Sequence, residues 1–535
     1  MTGRPAQEPA GEGNIGLYRA ADFRLTDGRC ADCDAIPQAL WYFRDEAIAV
    51  PRPGLPVAGF DRGATTFDDV ERWAASHAPG APPDYPTLIW VGSPAVLRGA
   101  RLDAAGARIT VEGTTTAFEV VPKIPLNRSY YNAASIAYFT GRTLKMRGDM
   151  TEGKFTARSI WPEDFRLDVN DAAASSPEAA ADPSPEAVRK LLRAELRGGA
   201  TSGFAAISLW ERTPGAARRC VGKPVLAAML NGAQGDDDEA HGGHFAIVTG
   251  RVGDDGGIDD WMANNFYTLD LFSEKGIIAA AVPLDRYLAD LNSGQAWYRP
   301  SHLLVAVLSR DRTASHVQGA INRVYNQFYR HQLVYGNVTM NCAGISIDAL
   351  RALGWNVHAR KPVSRVLAWL AVPWVALRER SITSARRAFD YLSEDGTRMF
   401  PAAAFEEMAA DLLRLAARPS SRELTPFETM LAEDVEALVW LRVPQLPSSR
   451  AWGDFAVVTK REYEARLPAD RSQAKIIPVP PRPFPQELRD PDLLPPPPSR
   501  SALAVVLWTV VSLAGIPWLL WRWRQSQKTG EKLLT

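Results

Sequence analysis

The sequence predicts an α+β protein: an antiparallel sheet with helices, preceded by a β-rich region and followed by a mostly helical segment and a C-terminal transmembrane helix. Three observations predict it. Short β-branched and aromatic runs separated by turn residues fill much of residues 36–170. Strand patterns and then helix patterns follow one another over residues 186–360. Residues 502–521 (ALAVVLWTVVSLAGIPWLLW) form an uncharged apolar run, close to the roughly 20 residues that cross a hydrocarbon core of about 30 Å.

Residues 1–35 read as a flexible N-terminus that carries a CADC pair, Cys30 and Cys33, and has no apolar stretch of the secretory-signal type. In the β-rich region, residues 88–91, 108–111, 116–121 and 154–160 have strand composition. Residues 171–185 (DAAASSPEAAADPSP) read as a linker. Ser184 as N-cap and Pro185 at the first helical position then open a helix with Val188, Leu191 and Leu192 on one face.

Beyond it, residues 245–249 (FAIVT) read as an apolar strand, 253–257 (GDDGG) as a turn, and 261–269 as the returning strand. Residues 277–282 and 303–308 read as two more strands. Ala320, Ile321, Val324 and Phe328 sit at helical spacing. A second helix spans residues 341–353, capped by Asn341 and ended before Gly354.

Residues 361–477 are mostly helical in pattern. Within them, 367–377 (LAWLAVPWVAL) is apolar, broken by Pro373 and too short to span a bilayer, so it reads as a core helix or an interfacial one. Residues 478–499 are proline-rich and read as a stiff spacer before the membrane run. Trp508, Trp518, Trp521 and Trp523 lie in or beside that run. The tail, residues 522–535, carries Arg522, Arg524, Lys528 and Lys532 against Glu531. By charge this tail belongs in the cytoplasm, yet that orientation requires export of the rest without a signal. The expectation is a single-pass C-terminal anchor whose folded part faces the cytoplasm.

Composition narrows the function classes. Of 535 residues, 61 are Lys or Arg and 61 are Asp or Glu. A net charge of zero argues against a nucleic-acid binder that works through bulk electrostatics. Four cysteines are too few for a disulfide scaffold, and leave room for one with a specific chemical role.

Cys342 is that candidate. Asn341 caps its helix, so the thiol lies in the first turn, where the helix dipole favours a thiolate and backbone N–H groups are available for an oxyanion. His244, opening the apolar strand in HGGHFAIVTG, is the candidate base. A histidine at the start of a strand (HFAIV), a hairpin to a strand with polar residues (MANNFY) and a later cysteine at a helix start (NCAGISIDALRALGW) resemble the papain-like thiol hydrolases related to NlpC-type peptidases. In those peptidases the cysteine helix comes first. The order here is similar to the circularly permuted branch that includes lecithin:retinol acyltransferase-like proteins. The resemblance covers residues 241–355. It implies a permuted papain-like core with Cys342 as nucleophile, His244 as base, and Asn264 or Asn265 orienting the imidazole. Only one can serve, because successive strand residues face opposite ways, and Asn264 is preferred.

Other groupings carry less chemistry. Asp236, Asp237, Asp238, Glu239, His241 and His244 have metal-ligand chemistry but sit among glycines, as in a solvated loop. Cys30 and Cys33 lack the strand–helix setting of a redox motif, and Cys220 is isolated. His331 is a second-choice base. No cofactor and no metal are expected. The sequence thus leads to a membrane-anchored cysteine hydrolase or acyltransferase acting on an amide, ester or thioester, with a peptide, lipid or acylated protein as substrate. The alternative is a catalytically inactive, membrane-tethered binding or scaffold protein.

Overall fold

The computed structural model describes residues 7–9, 13–78, 80–121, 133–169, 183–192, 203–231, 243–269, 278–291, 300–336, 340–362, 365–417, 422–444, 446 and 483–494. The candidate membrane run 502–521, the acidic run 236–241, the basic tail and most of the linker at 171–185 lie outside these residues. Among the described residues no helix is long and apolar enough to cross a membrane.

The protein is α+β, and its strands fall into three main groups. The first is an antiparallel sheet of β1 (Gln7–Pro9), β2 (Phe23–Thr26), β3 (Ile48–Pro51) and β4 (Ile89–Trp90). Helices α1 (Pro37–Tyr42) and α2 (Thr66–Ser76) are inserted in it. Residues 1–35, expected to be flexible, instead contribute Ile15, Tyr18 and Phe23 to the main core from residue 13 onward. Their apolar side chains are spaced among glycines and arginines, so composition alone concealed a packed segment.

The second group is a closed barrel of β5 (Ala95–Leu102), β6 (Arg108–Val111), β7 (Thr114–Val120), β8 (Leu144–Thr151) and β9 (Lys154–Pro162). Its third and fifth strands, β7 and β9, pair in parallel, and its first and fourth, β5 and β8, close it. Helix α3 (Ala133–Phe139) lies in the connection between the third and fourth strands. This is the connectivity of an OB-type barrel, and connectivity by itself assigns no ligand. The β-rich region expected as one domain over residues 36–170 is therefore a sheet followed by a barrel with its own apolar core of residues such as Phe118, Met146 and Phe155.

The third group is a seven-stranded antiparallel sheet in the order β10-β16-β15-β11-β12-β13-β14. Its strands are β10 (Ala205–Glu211), β11 (Pro224–Asn231), β12 (His244–Arg251), β13 (Met262–Asn265), β14 (Ala280–Pro283), β15 (Ser301–Leu308) and β16 (Val435–Val443). Around it lie α4 (Pro185–Leu192), α5 (Leu284–Ala289), α6 (Arg312–Tyr329) and α7 (Cys342–Ala352). The chain continues through α8 (Arg365–Glu379), α9 (Ile382–Ser393), α10 (Gly396–Met399), α11 (Pro401–Ala417) and α12 (Pro426–Asp434). The expected boundary near residue 360 does not hold. Strand β16, inside the sheet between β10 and β15, comes from residues 435–443, and α11 packs over β11 and β12.

Two further departures matter. Residues 367–377 are neither in the main core nor isolated: α8 and α9 form a hairpin with a small separate cluster of Ala368, Val372, Val375, Ala385 and Phe389. The proline-rich spacer is partly seated on the fold. Phe484 stacks on Tyr42, with ring centroids 5.6 Å apart, and the buried Asp490 carboxylate meets Arg330 at 2.8 Å. Phe484 and Asp490, helped by hydrogen bonds from Gln38 to the Leu488 carbonyl and from the Leu494 N–H to Gln332, hold a segment that its prolines mark as extended.

Candidate active site

Helix α7 begins where the sequence places it. Asn341 is extended (φ −87°), and its Oδ1 accepts from the N–H groups of Ala343 at 2.9 Å and Gly344 at 3.0 Å. Its Nδ2 donates to the Met399 carbonyl at 2.8 Å. The cap sets Cys342 in the first turn, 3% exposed. It also consumes two of the N–H groups expected to be available there. His244 opens β12, in register with Asn231 of β11, and is buried.

Strand β13 runs antiparallel to β12 with Asn264 opposite Ile247. The pleat sends its two asparagines to opposite faces. Asn265 Oδ1 lies 2.5 Å from His244 Nε2, so Nε2–H donates to the amide and Nδ1 is left for the sulfur. The Asn265 amide is fixed in turn by donation from Nδ2 to the Ile278 carbonyl. Asn264, the preferred residue on sequence grounds, points the other way. Its amide exchanges hydrogen bonds with Gln318 of α6 at 2.9 and 3.1 Å. Gln318 continues to Asn322 at 2.8 Å and Asn322 to Tyr18 at 2.8 Å. The position behind the imidazole belongs to Asn265.

The sulfur and the imidazole are hydrogen-bonded and perturb one another. Burial alone pushes the Cys342 thiol up. The positive imidazole of His244, its hydrogen bond, and the N–H groups of Phe245 and Ala343 outweigh that, and the thiol ends below its ordinary value. Burial alone pushes His244 down. The charge on Cys342, the hydrogen bond to it and the bond to Asn265 outweigh that, and the imidazole ends above its ordinary value. Both shifts favour a thiolate–imidazolium pair.

Three tyrosines feel the charge of the sulfur, and sequence reasoning assigned none of them to it. The Tyr335 hydroxyl contacts both the Cys342 sulfur and the Cys342 N–H. Burial and then the charge on Cys342 raise the phenols of Tyr335, Tyr267 and Tyr287. Tyr267 and Tyr335 have ring centroids 5.2 Å apart, and the Tyr287 hydroxyl donates to Asn231 at 3.2 Å. The available signal was Tyr335-Gly336, shortly before the cysteine helix; the other two phenols meet it only through the sheet.

His331, the second-choice base, is 2.6 Å from the Tyr42 hydroxyl and packs on Phe484. Cys220 is buried, with its sulfur 3.7 Å from the Leu167 carbonyl, and burial raises its thiol. Cys30 and Cys33 form a disulfide. Among the described residues no group of His, Cys, Asp or Glu has the arrangement to hold a metal. A cavity of about 520 Å³ beside α11 is lined by Glu407, Asp411, Arg414 and Arg422, with His358 and Asn356, and by no residue of the cysteine site. No family model, no curated protein and no solved structure matches the chain.

Proposed function

We propose that the protein is a cysteine hydrolase or acyltransferase with a permuted papain-like site, anchored to a membrane through residues 502–521. The observation that carries the reading is the buried Cys342–His244 pair with Asn265 behind the imidazole. In the reaction the thiolate adds to an amide, ester or thioester carbonyl. The imidazolium gives its proton to the leaving amine, alcohol or thiol as the tetrahedral intermediate collapses to an acyl-cysteine. His244 then takes a proton from water or an acceptor, which displaces the thiolate and releases the acyl group. The Cys342 N–H and the Tyr335 hydroxyl, which meet beside the sulfur, are the donors that support the oxyanion.

The test is alkylation by iodoacetamide across pH. Cys342 is expected to react well below the ordinary thiol pKa of about 8.5, and His244→Ala to remove that advantage. Cys220, buried with a raised thiol, is the internal standard. Alkylation of Cys342 no faster than of Cys220 overturns the reading and leaves the catalytically inactive scaffold, which the near-complete burial of the sulfur favours.

A further inference from the structure

The α8–α9 hairpin packs one stripe of α8 on α9: Ala368, Val372 and Val375, with Trp369 against Phe389 at 4.8 Å between ring centroids. A second set of apolar side chains faces outward: Val366 is 69% exposed, Leu370 58%, Trp374 58% and Leu377 62%. Their spacing of four, four and three residues makes one continuous outer stripe, and Ile382, 59% exposed at the start of α9, lies just beyond the turn. Large apolar groups gathered on one outer face mark an interaction surface.

The charges on the same element say which kind. The hairpin carries Arg365, Arg378, Arg380, Arg386 and Arg387 against Glu379 and Asp390, in a chain that is neutral as a whole. Arg365, Arg378 and Arg380 are exposed, and the Arg378 guanidinium sits 4.8 Å above the Trp374 ring, the arrangement of a cation and an aromatic that share an apolar–polar boundary. At 1.5 Å per residue, α8 is about 22 Å long, short of the roughly 30 Å of a hydrocarbon core. It has the length and composition to lie in the interface.

We infer that the α8–α9 hairpin docks its outer α8 face into the surface of an anionic lipid bilayer, with Val366, Leu370, Trp374 and Leu377 below the headgroups and the arginines among them. The same chain carries an apolar run of bilayer length at 502–521, so a bilayer is the surface within its reach. The inference does not rest on the chemistry of Cys342. The chain just after the hairpin, at α10, is joined to the cysteine helix: Arg398 of α10 meets Asp348 of α7 at 2.8 Å, and Arg351 of α7 meets Asp395 at 3.0 Å.

The experiment uses the full chain, with Cys220→Ser and Cys342→Ser, reconstituted in vesicles of phosphatidylcholine and phosphatidylserine. Nitroxide labels are placed at Leu370→Cys, at Leu377→Cys and, as a control, at Met150→Cys, an exposed apolar side chain of the barrel. At positions 370 and 377, collisions with lipid-dissolved oxygen are expected to exceed those with a water-soluble nickel chelate several-fold, and at 150 the reverse. Changing Arg365, Arg378 and Arg380 to Gln is expected to lower that ratio at 370 and 377. Labels at 370 and 377 as open to the chelate as the one at 150 overturn the inference. So do labels shielded from both probes alike in vesicles and in detergent, which would assign the face to a second copy of the chain.

Discussion

Asn264 and Asn265 are neighbours in the chain with separate roles. Asn265 holds Nε2–H of His244, and a hydrogen bond to a charged group contributes about 1.5–3 kcal/mol, equivalent to roughly ten- to a hundredfold in rate. Asn265→Ala is expected to lower the alkylation rate of Cys342 at mildly acidic pH by about that factor. Asn264→Ala instead leaves buried Gln318 short of partners, at about 1–3 kcal/mol of stability, with the pH profile of alkylation unchanged. Equal profiles for the two variants would remove Asn265 from the site. The pair also sets a stability window. Cys342 is lowered, so its contribution is full above the unfolded thiol value of about 8.5 and is lost as pH falls toward its folded value. His244 is raised, so its contribution is full below about 6.5 and is lost as pH rises through its folded value. The two charged forms thus support each other, and Cys342→Ala is expected to leave His244 to its burial, which pushes the imidazole down, as read by NMR titration of the ring. The cysteine and the histidine were legible because each opens an element with its own local signal. The choice between the asparagines was not, because it depends on which face of β13 meets α6. Nor were Tyr267, just past β13, and Tyr287 of α5, which come near enough to feel the charge of Cys342 only once the sheet is assembled.

At the scale of elements, what could be read was what is local. The β12–β13 hairpin follows from its GDDGG turn, where Gly256 has φ +84°, and α7 follows from Asn341. That cap predicts a cost: Asn341→Ala frees two N–H groups and the Met399 carbonyl together, and is expected to lower stability by about 1–2 kcal/mol by urea titration. An unchanged midpoint would mean that packing alone fixes the start of α7. Strand β16 was not legible. It is buried along nearly its whole length, so it lacks the polar alternation of a half-exposed strand. It also follows α12 with no intervening turn, Val435 being both the helix cap and the first strand residue. The seating of residues 483–494 was hidden for a different reason, since proline content reports backbone stiffness and says nothing about a buried ion pair. Arg330 and Asp490 are almost wholly inaccessible to solvent, and removing one partner of such a pair costs about 3–5 kcal/mol. Asp490→Asn is expected to lose a large part of that and to open residues 483–494 to protease. Unchanged protection there would show that Phe484 and the hydrogen bonds of Gln38 and Gln332 hold the segment without the ion pair.

Across the whole molecule, the barrel is joined to the seven-stranded sheet by charge. Lys145 of β8, 1% exposed at its side chain, meets Asp259 at 2.7 Å, Asp260 at 2.6 Å and Asp285 at 3.1 Å. Arg147 meets Asp285 at 2.8 Å and Asp260 at 3.1 Å, and Arg98 meets Asp259 at 3.0 Å. Beside this network Arg286 pairs with Asp290 at 2.7 Å and lies 4.5 Å above the Trp90 ring of the first sheet. Gly92, at φ +63°, leaves room for that guanidinium, since a Cβ there would come within 2.4 Å of it. Three cations face three carboxylates, and none of the pairings is local in sequence, so the joint has no signature that a scan along the chain could detect. Burial raises all three carboxyls. For Asp259 and Asp285 the neighbouring cations outweigh it and hold them below the ordinary range. For Asp260, burial and the like charge of Asp259 prevail and it is raised. The stability that Asp259 and Asp285 supply is thus complete above about pH 3.9 and is lost only as pH falls through their lower folded values, so the native joint is expected to persist at pH 5. Lys145→Met leaves three carboxylates to two arginines. Breaking a buried ion group in this way costs about 3–5 kcal/mol, and the surplus negative charge raises the remaining carboxyl pKa values. Acid then relieves the variant: its urea midpoint is expected to rise from pH 7 to pH 5 by more than that of the native chain, in which Asp260 alone of the three carboxyls is raised. Amide exchange over residues 144–151 and 284–289 locates the effect, with fast exchange at pH 7 expected in both segments of the variant. A variant with native midpoint and native exchange at pH 7 would show that apolar contact, not this charge cluster, keeps the barrel on the sheet.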